Sequence, residues 1–250
     1  MDDPVTLAVD CGVATVTLDR ADALNAQTPQ MWARLRDIGC ALDRDVRVVV
    51  VRGSGRAFSA GIDRQMLAPA GGLSALARLP QAEADAVLAG YQAAFDWLGE
   101  DRFVSVAAVQ GYAIGAGLQL ALACDLRVLA DDAQLCLPET GLGLVPDLGG
   151  TRALASLVGP SRALEMCLTG RRVGAAEALQ IGLATVVVPA ADLDAAVGDL
   201  VAALLAPPAA AVRETKALIA GAMARSPVNQ QTAERAAQLR RIRDLTGREA

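Results

Sequence analysis

One stretch of the chain, from Phe103 to Cys124, carries no charged side chain and is long enough to cross a lipid bilayer. Three glycines, Ser105 and the amides of Gln110 and Gln119 interrupt it. A polar group without a partner is costly in hydrocarbon, whereas the core of a globular protein can supply partners. The stretch therefore predicts a buried strand, a glycine turn and a helix within a globular fold, and not a membrane span.

The composition supports a globular protein. The chain has 250 residues, of which 53% are hydrophobic, so it can bury a sizeable core as one large domain or two small ones. Its net charge is −5 and its basic residues are scattered along the chain. A nucleic-acid partner is therefore not expected.

The chain contains no histidine. This excludes histidine-based nucleophilic triads and histidine-ligated metal sites, so acid–base chemistry must use Asp, Glu, Lys, Tyr or Cys. We expect no metal. The five cysteines form no CxxC pair, and their odd number indicates reduced thiols in a cytoplasmic protein. The first ten residues lack the pattern of a signal peptide.

Hydrophobic periodicity predicts an α/β fold that ends in helices. Two β-rich runs, Val5–Asp10 and Val13–Leu18, predict a hairpin, and Pro29 after Thr28 predicts the start of a helix. Further along, the pattern predicts a buried strand over 46–53, a helix over 84–98, a strand over 105–109, a helix over 117–123, a strand over 126–130 and an extended piece near Leu135. Helices dominate from residue 149 onward, and no linker or internal repeat is visible.

Two glycine-bearing turns follow apolar strands, one starting at Gly53 and one at Gly111. Neither turn fits the spacing of a dinucleotide or P-loop motif. If the turns face each other, their backbone N–H groups can converge on one oxygen that becomes negative during a reaction. The alternative is two tight turns packed for steric reasons, and their spacing alone slightly favours this alternative.

Four segments carry a resemblance to a known family. They are "DRADALNAQT" (19–28), "VVVVRGSGRAFSAGIDRQM" (48–66), "VAAVQGYAIGAGLQLALACDLRVLADDAQLCLPETGLGLVPDLGGTRAL" (106–154) and "TGRRVGAAEALQIGLATVVVP" (169–189). In this order they resemble the enoyl-CoA hydratase/isomerase, or crotonase, family over roughly residues 5–220.

The resemblance implies a fold and a ligand. It implies a crotonase-like spiral of repeated ββα units over 1–190, followed by a C-terminal helical region over 191–250 that belongs to the same structural unit and assembles trimers or dimers of trimers. The implied partner is an acyl-CoA thioester from fatty acid metabolism. Coenzyme A is then part of the substrate, and no separate cofactor is implied.

The resemblance also implies the residues that bind the thioester. An oxyanion hole would be formed by the backbone N–H groups of Ile62 and Ala116. The family usually has glycine at the second position, but alanine keeps the same backbone donor. The residues implied to line the coenzyme A channel are Ala26, Ala60, Asp63, Arg64 and Gln65. Residues 66–90 are expected to form the lid of the acyl pocket, and the low aromatic content does not indicate an aromatic pocket.

The carboxylates depart from the family's hydratase pattern. Hydratases of the family carry two glutamates, whereas this chain has Glu139 at the second position and Gln119 at the first. Adding water to a double bond needs a group that takes a proton and a group that delivers one, and an amide does neither. Glu139 alone could move a proton within a substrate, as a double-bond isomerase requires.

Asp147 is a further candidate catalytic residue. Dienoyl-CoA isomerases of the family place an aspartate at the equivalent position, but an aspartate just before Gly149 could instead cap a helix. Both roles stay open. The sequence thus predicts either an acyl-CoA enzyme that uses Glu139 and an enolate, for isomerisation or hydration, or an acyl-CoA-binding protein in which Gln119 has removed hydratase activity.

Overall fold

A computed structural model describes residues 3–70 and 72–247 as an α/β fold with two sheets. Its strands are β1 (Val5–Asp10), β2 (Val13–Leu18), β3 (Val48–Gly53), β4 (Val104–Val109), β5 (Tyr112–Ile114), β6 (Leu126–Ala130), β7 (Gln134–Cys136), β8 (Val173–Gly174) and β9 (Val186–Val188). Its helices are α1 (Pro29–Ala41), α2 (Arg64–Leu67), α3 (Gly72–Leu76), α4 (Gln81–Asp96), α5 (Ala116–Ala123), α6 (Gly150–Val158), α7 (Pro160–Thr169), α8 (Ala175–Gln180), α9 (Leu193–Leu205), α10 (Ala209–Ala222) and α11 (Pro227–Leu245).

The larger sheet has the strand order β1-β2-β3-β4-β6-β9. Only β1 runs antiparallel to its neighbour, and each following pair is parallel. The smaller sheet has the strand order β5-β7-β8, and its first strand, β5, comes directly after β4 along the chain. Parallel strands share the edge at which they end, so the loops after β3 and β4 emerge on the same side of the molecule.

Strands β3 and β4 are buried on both faces, which explains why they are continuous apolar runs. On one face, helices α1 and α4 pack with the main hydrophobic core. On the other face, Leu193 and Val197 of α9 pack against Val48, Val50 and Val106. Helix α9 therefore covers the sheet directly, although the predicted division of the chain at residue 190 stays a prediction.

Most of the elements predicted from periodicity are present. The hairpin has the predicted bounds, and its turn residues Cys11 and Gly12 both have positive φ, 47° and 79°, as two-residue hairpin turns require. Thr28 caps α1 by accepting a hydrogen bond from the Met31 N–H. The uncharged run folds as β4, β5 and α5, so the predicted buried strand, turn and helix are confirmed, with an additional short strand in the turn.

Helices dominate after residue 149, as predicted, but two short strands also lie in this part of the chain. Strand β9 extends the parallel sheet by pairing with β6, and β8 joins the smaller sheet.

Within the described ranges, no single helix is long and apolar enough to span a bilayer. One bent pair, Ala190–Leu205 with α10 at 102°, passes that test jointly by length and composition only.

Helix α10 is tied to the sheet by a single lysine. The Lys216 ammonium, with a side chain 10% exposed, donates hydrogen bonds to the Glu100 and Phe103 carbonyls and to the Asp125 carboxylate at 2.6, 2.9 and 2.7 Å. The Asp125 carboxylate also accepts from the Ser105 N–H at 2.7 Å. Asp125 therefore joins β4 to the start of β6 and to α10.

Candidate active site

The loop after β3 and the turn after β5 lie against each other. Ser59 donates its N–H to the Tyr112 carbonyl at 2.8 Å, and the Ile114 N–H donates to the Ser59 carbonyl at 3.0 Å. Gly61 has φ +93°, and a Cβ atom there would lie 2.6 Å from the Ile114 carbonyl oxygen and 3.8 Å from the Ala116 nitrogen. Only glycine permits so close an approach of the two segments.

The N–H groups of Ile62 and Ala116 donate to no acceptor within residues 3–70 and 72–247. Gln27 binds the chain on both sides of Ile62, since its N–H donates to the Gly61 carbonyl and its carbonyl accepts from the Asp63 N–H. Ala116 is the first residue of α5, where a helix leaves its N–H groups unpaired. Both residues border the same cavity, so two backbone donors are available to a ligand there.

The cavity has a volume of about 350 Å³ and a mostly apolar wall. It brings together seven of the ten residues predicted from the sequence, which are Ala60, Ile62, Arg64, Ala116, Gln119, Glu139 and Asp147. Apolar side chains of the segment 66–90, namely Met66, Leu67, Leu73 and Leu88, also line it. This agrees with the expected position of an acyl-pocket lid.

Glu139 supplies a buried carboxylate to this cavity. It begins a short 3₁₀ helix after β7 and is only 8% exposed. Its Oε1 accepts a hydrogen bond from the Gln119 Nε2 at 2.9 Å, whereas its Oε2 is buried without a partner among the described residues. Burial raises the pKa of the Glu139 carboxyl above its ordinary value, and the nearby negative charge of Asp147 raises it further.

Gln119 is held in one orientation. The side chain is 2% exposed, and its Oε1 accepts from the Leu148 N–H at 2.8 Å and from the Gly150 N–H at 3.4 Å. Because two N–H groups face this oxygen, the amide nitrogen must face Glu139. The side chain at the position of the family's first glutamate is thus a hydrogen-bond donor to the second.

Asp147 is not a helix cap, so that alternative is wrong. Helix α6 begins at Gly150 after Gly149, and no side chain caps it. The Asp147 main-chain carbonyl accepts a hydrogen bond from Gln92 of α4 at 2.6 Å, and the residue borders the cavity. The surrounding protein raises the pKa of the Asp147 carboxyl by desolvation. Its catalytic role stays a prediction.

Ala26, Asp63 and Gln65 are outside the cavity wall. Arg20 holds the first two together, because its guanidinium donates to the Ala26 carbonyl and to the Asp63 carboxylate, the latter at 3.0 Å. The Gln65 N–H donates to Asp63 at 3.0 Å, which lowers the pKa of the Asp63 carboxyl, and Arg20 lowers it further. In the structure these contacts shape the loop that presents the Ile62 N–H.

Two aromatic residues of the cavity were missed from the sequence. Trp32 and Tyr91 line it with ring centroids 4.6 Å apart, although the low aromatic content did not indicate an aromatic pocket. The Trp32 Nε1 donates to the Gln27 Oε1 at 2.8 Å, which links α1 to the segment beside Ile62. Tyr91 and Leu88 share one face of α4, and this periodicity was the available signal.

The cavity has no donor set for a metal. Among the residues that the structure describes, no cluster of three or more Cys, Asp or Glu side chains could hold a metal ion. All five cysteines are free thiols. The polar groups that border the cavity are the side chains of Glu139, Asp147, Gln119, Arg64 and Tyr91 and the two backbone N–H donors.

The sequence profile of the enoyl-CoA hydratase/isomerase family matches residues 9–246. A Mycobacterium bovis protein named a probable enoyl-CoA hydratase is 37% identical over 186 residues, which cover 74% of this chain and 68% of the relative. The carnitinyl-CoA dehydratase of Escherichia coli K12 is 38% identical over 200 residues, or 77% of this chain and 71% of the relative.

Solved structures of similar proteins agree over almost the whole chain. A Thermobifida fusca protein, provisionally named an enoyl-CoA hydratase and solved in complex with acetoacetyl-CoA, superposes with a TM-score of 0.93. It is 49% identical, and the match covers 97% of this chain and 96% of that one.

Proposed function

Because this chain belongs to the enoyl-CoA hydratase/isomerase family, we propose that it is an enzyme that binds an acyl-CoA thioester and forms its enolate. The thioester oxygen accepts hydrogen bonds from the N–H groups of Ile62 and Ala116. Donors fixed in advance at a developing oxyanion are worth about 3–4 kcal/mol each. The relative solved with acetoacetyl-CoA supports this substrate class, since its ligand is a thioester whose carbonyl can become an enolate.

Glu139 is the acid–base group of the proposed reaction. Its Oε2 removes a proton from the carbon next to the thioester, and the electron pair moves onto the thioester oxygen. The same carboxyl then returns the proton to the γ carbon, so that a double bond moves from the 3,4 position to the 2,3 position. The observation that carries this proposal is the buried Glu139 carboxyl, whose Oε2 has no partner among the described residues, in the wall of the cavity that the two free N–H groups border.

Isomerisation of an enoyl-CoA fits the cavity better than hydration does. Hydration needs a second acid–base group beside the attacking water. Gln119 cannot supply one, since its amide does not titrate and is already bound to Glu139 and Leu148. Hydration would therefore depend on Asp147, whose carboxyl borders the cavity.

The test is a turnover assay with 2-enoyl-CoA and 3-enoyl-CoA substrates. We expect conversion of the 3-enoyl-CoA, and the Glu139→Gln variant should lose at least about 100-fold in kcat, the usual contribution of a general acid–base. Glu234→Gln, at an exposed site on α11, is the matched control and should keep full activity. Absence of turnover of both substrates, or unchanged turnover in Glu139→Gln, contradicts the proposal.

A second candidate function is binding of acyl-CoA without chemistry. The amide of Gln119 favours it, because a site that loses one of two carboxylates loses hydratase activity while the cavity remains. Calorimetry with a saturated acyl-CoA distinguishes the two functions. Tight binding together with no turnover of either enoyl-CoA supports the binding protein.

The contacts with coenzyme A are also a proposal. Ala60 and Arg64 border the cavity, and Ala26, Asp63 and Gln65 lie on the two segments joined by Arg20. We assign these five residues to the channel for the pantetheine and nucleotide of coenzyme A. No separate cofactor is part of the proposal.

A homotrimer or a dimer of trimers is the proposed assembly. Large apolar side chains of the last two helices are exposed in the single chain, namely Ile219, Met223, Val228, Leu239, Ile242 and Leu245. A group of six exposed apolar side chains on these helices favours contact with another chain. The cytoplasmic location and the absence of nucleic-acid and membrane partners stay predictions from composition.

A further inference from the structure

Gln119 connects the two acidic segments of the cavity. Its Nε2 donates to Glu139 Oε1 at 2.9 Å, and its Oε1 accepts from the amide of Leu148, the residue after Asp147. A Cβ atom on Gly150 would lie 2.7 Å from the Gln119 Cγ, so α6 packs closely on this side chain. The Gln119 amide therefore cannot flip. Helix α6 leaves no space for the rotation, and the rotation would break the hydrogen bond from the Leu148 N–H.

We infer that Gln119 is a positioning residue that acts through Glu139, binding its Oε1 and so fixing the orientation of the carboxylate beside the cavity. The inference rests on the proposed function and goes beyond it. With Oε1 bound to Gln119, the Glu139 carboxylate cannot rotate to exchange the positions of its two oxygens. The proton that Glu139 removes from the α carbon and returns to the γ carbon is then carried by one and the same carboxylate oxygen.

The hydrogen bond also affects the charge state of Glu139. An N–H that donates to a carboxylate stabilises its ionised form and so lowers its pKa, which opposes the effect of burial. The other titratable groups facing Glu139 are Asp147 and the thiols of Cys136 and Cys167, whose pKa values are raised partly by the charge of Glu139. The Glu139 main chain and the Gln119 side chain both favour the ionised, basic form by hydrogen bonding, against burial and the charge of Asp147.

The first variant, Gln119→Met, keeps the length of the side chain and removes its donor and its acceptor. We expect kcat to fall at least about tenfold while KM changes by less than about threefold, because the substrate-binding N–H groups are untouched. The acidic limb of the pH profile of kcat/KM should move to higher pH, since Glu139 then ionises less readily. An unchanged kcat and an unchanged acidic limb overturn the inference.

The second variant, Gln119→Glu, separates this inference from simple loss of a hydratase residue. One oxygen of the new carboxyl keeps the bonds from Leu148 and Gly150, and the other faces Glu139 at the present 2.9 Å contact. Two carboxylates so close share one proton. We expect activity at low pH and a new alkaline limb, where the shared proton is lost and the enolate forms beside two negative charges. Restored hydration with the wild-type pH profile overturns the inference.

Gln230→Leu is the matched control, because Gln230 of α11 is also a half-buried, hydrogen-bonded glutamine, far along the chain from the cavity residues. Its pH profile should equal that of the wild type. A readout independent of turnover is the ¹³C NMR titration of the Glu139 carboxyl, assigned with Glu139→Gln. If the wild type turns over no enoyl-CoA, the proposed function fails, whereas a Glu139 titration that is unchanged in Gln119→Met overturns the inference itself.

Discussion

Glu139 combines burial with an oxygen that has no partner among the described residues. Buried polar atoms are nearly always hydrogen-bonded, and leaving one unpaired costs about 1–3 kcal/mol. A charged oxygen in this state raises the pKa of its carboxyl, because burial penalises the ionised form. The burial that the proposed proton transfer relies on therefore also lowers the stability of the unliganded protein.

This conflict predicts how stability depends on pH. A carboxyl whose pKa is raised by folding stabilises the folded state below its unfolded pKa, and this contribution is lost as the pH rises through the folded pKa. Glu139→Gln should thus be more stable than the wild type by about 1–3 kcal/mol near pH 8, with a smaller difference near pH 5.5. Urea unfolding at the two pH values measures this, and Glu234→Gln should show no such pH dependence. A difference that is constant with pH, or a less stable variant, contradicts the prediction.

The sequence identified the polar residues of the cavity without their contacts. Glu139, Gln119 and Asp147 could be named because the family resemblance fixes their register. The bond between Gln119 and Glu139 could not be predicted, since it joins α5 to a turn after β7 and depends on how the amide is oriented by Leu148. Trp32 was missed because the apolar spacing of α1 indicates core packing and no more.

At the level of elements, the candidate site depends on two turns that approach each other at Gly61. The φ of this glycine is positive, and a Cβ atom there would lie only 2.6 Å from the Ile114 carbonyl oxygen, which leaves no room for a side chain. The approach brings the N–H groups of Ile62 and Ala116 to one cavity. Any residue larger than glycine must push the two turns apart.

Gly61→Ala is therefore expected to weaken the binding of an acyl-CoA that can form an enolate. A non-glycine residue in such a backbone region costs about 1–3 kcal/mol, and the steric clash adds to it. Calorimetric titration with acetoacetyl-CoA should give weaker binding, while coenzyme A alone is affected less. Gly198→Ala on α9, where a Cβ meets nothing within 4 Å, is the control and should leave binding unchanged. Equal affinity of Gly61→Ala and wild type would argue against the two-donor site.

Element prediction succeeded where patterns were long, and among the short strands it found only β7, as the extended piece near Leu135. The hairpin, α1 and β4 follow from alternation, a capping residue and a continuous apolar run. Strands β5, β8 and β9 have two or three residues each, too few for a period to be visible. Their pairing is decided by neighbours far along the chain, which local sequence does not encode.

At the level of the whole molecule, the last two helices are incompletely buried in a single chain. Ile219 and Met223, four residues apart along α10 and its C-terminal end, are 71% and 90% exposed. Side chains with this spacing lie on one face of a helix, so they form a continuous apolar strip. We expect this strip to be covered by another chain in solution.

Light scattering after size-exclusion chromatography should give three or six times the chain mass of 25.7 kDa. The double variant Ile219→Glu, Met223→Glu should shift the mass towards that of the single chain, because charged residues are disfavoured in the core of an interface. Val9→Glu on the hairpin, at a position 53% exposed, is the control and should not change the mass. A monomeric wild type contradicts the proposed assembly.

The parallel pairing of the larger sheet also has a consequence for how the chain folds. Val48 pairs with Val104, Val106 with Leu126, and Val128 with Val186, so each partner strand arrives only after a long stretch of intervening chain. Closing such loops costs entropy before any ladder forms, which slows folding in proteins of high contact order. Because the two turns of the cavity follow β3 and β5, which lie in different sheets and far apart along the chain, a ligand-binding intermediate is not expected. Recovery of acyl-CoA binding during refolding should coincide with the last and slowest phase.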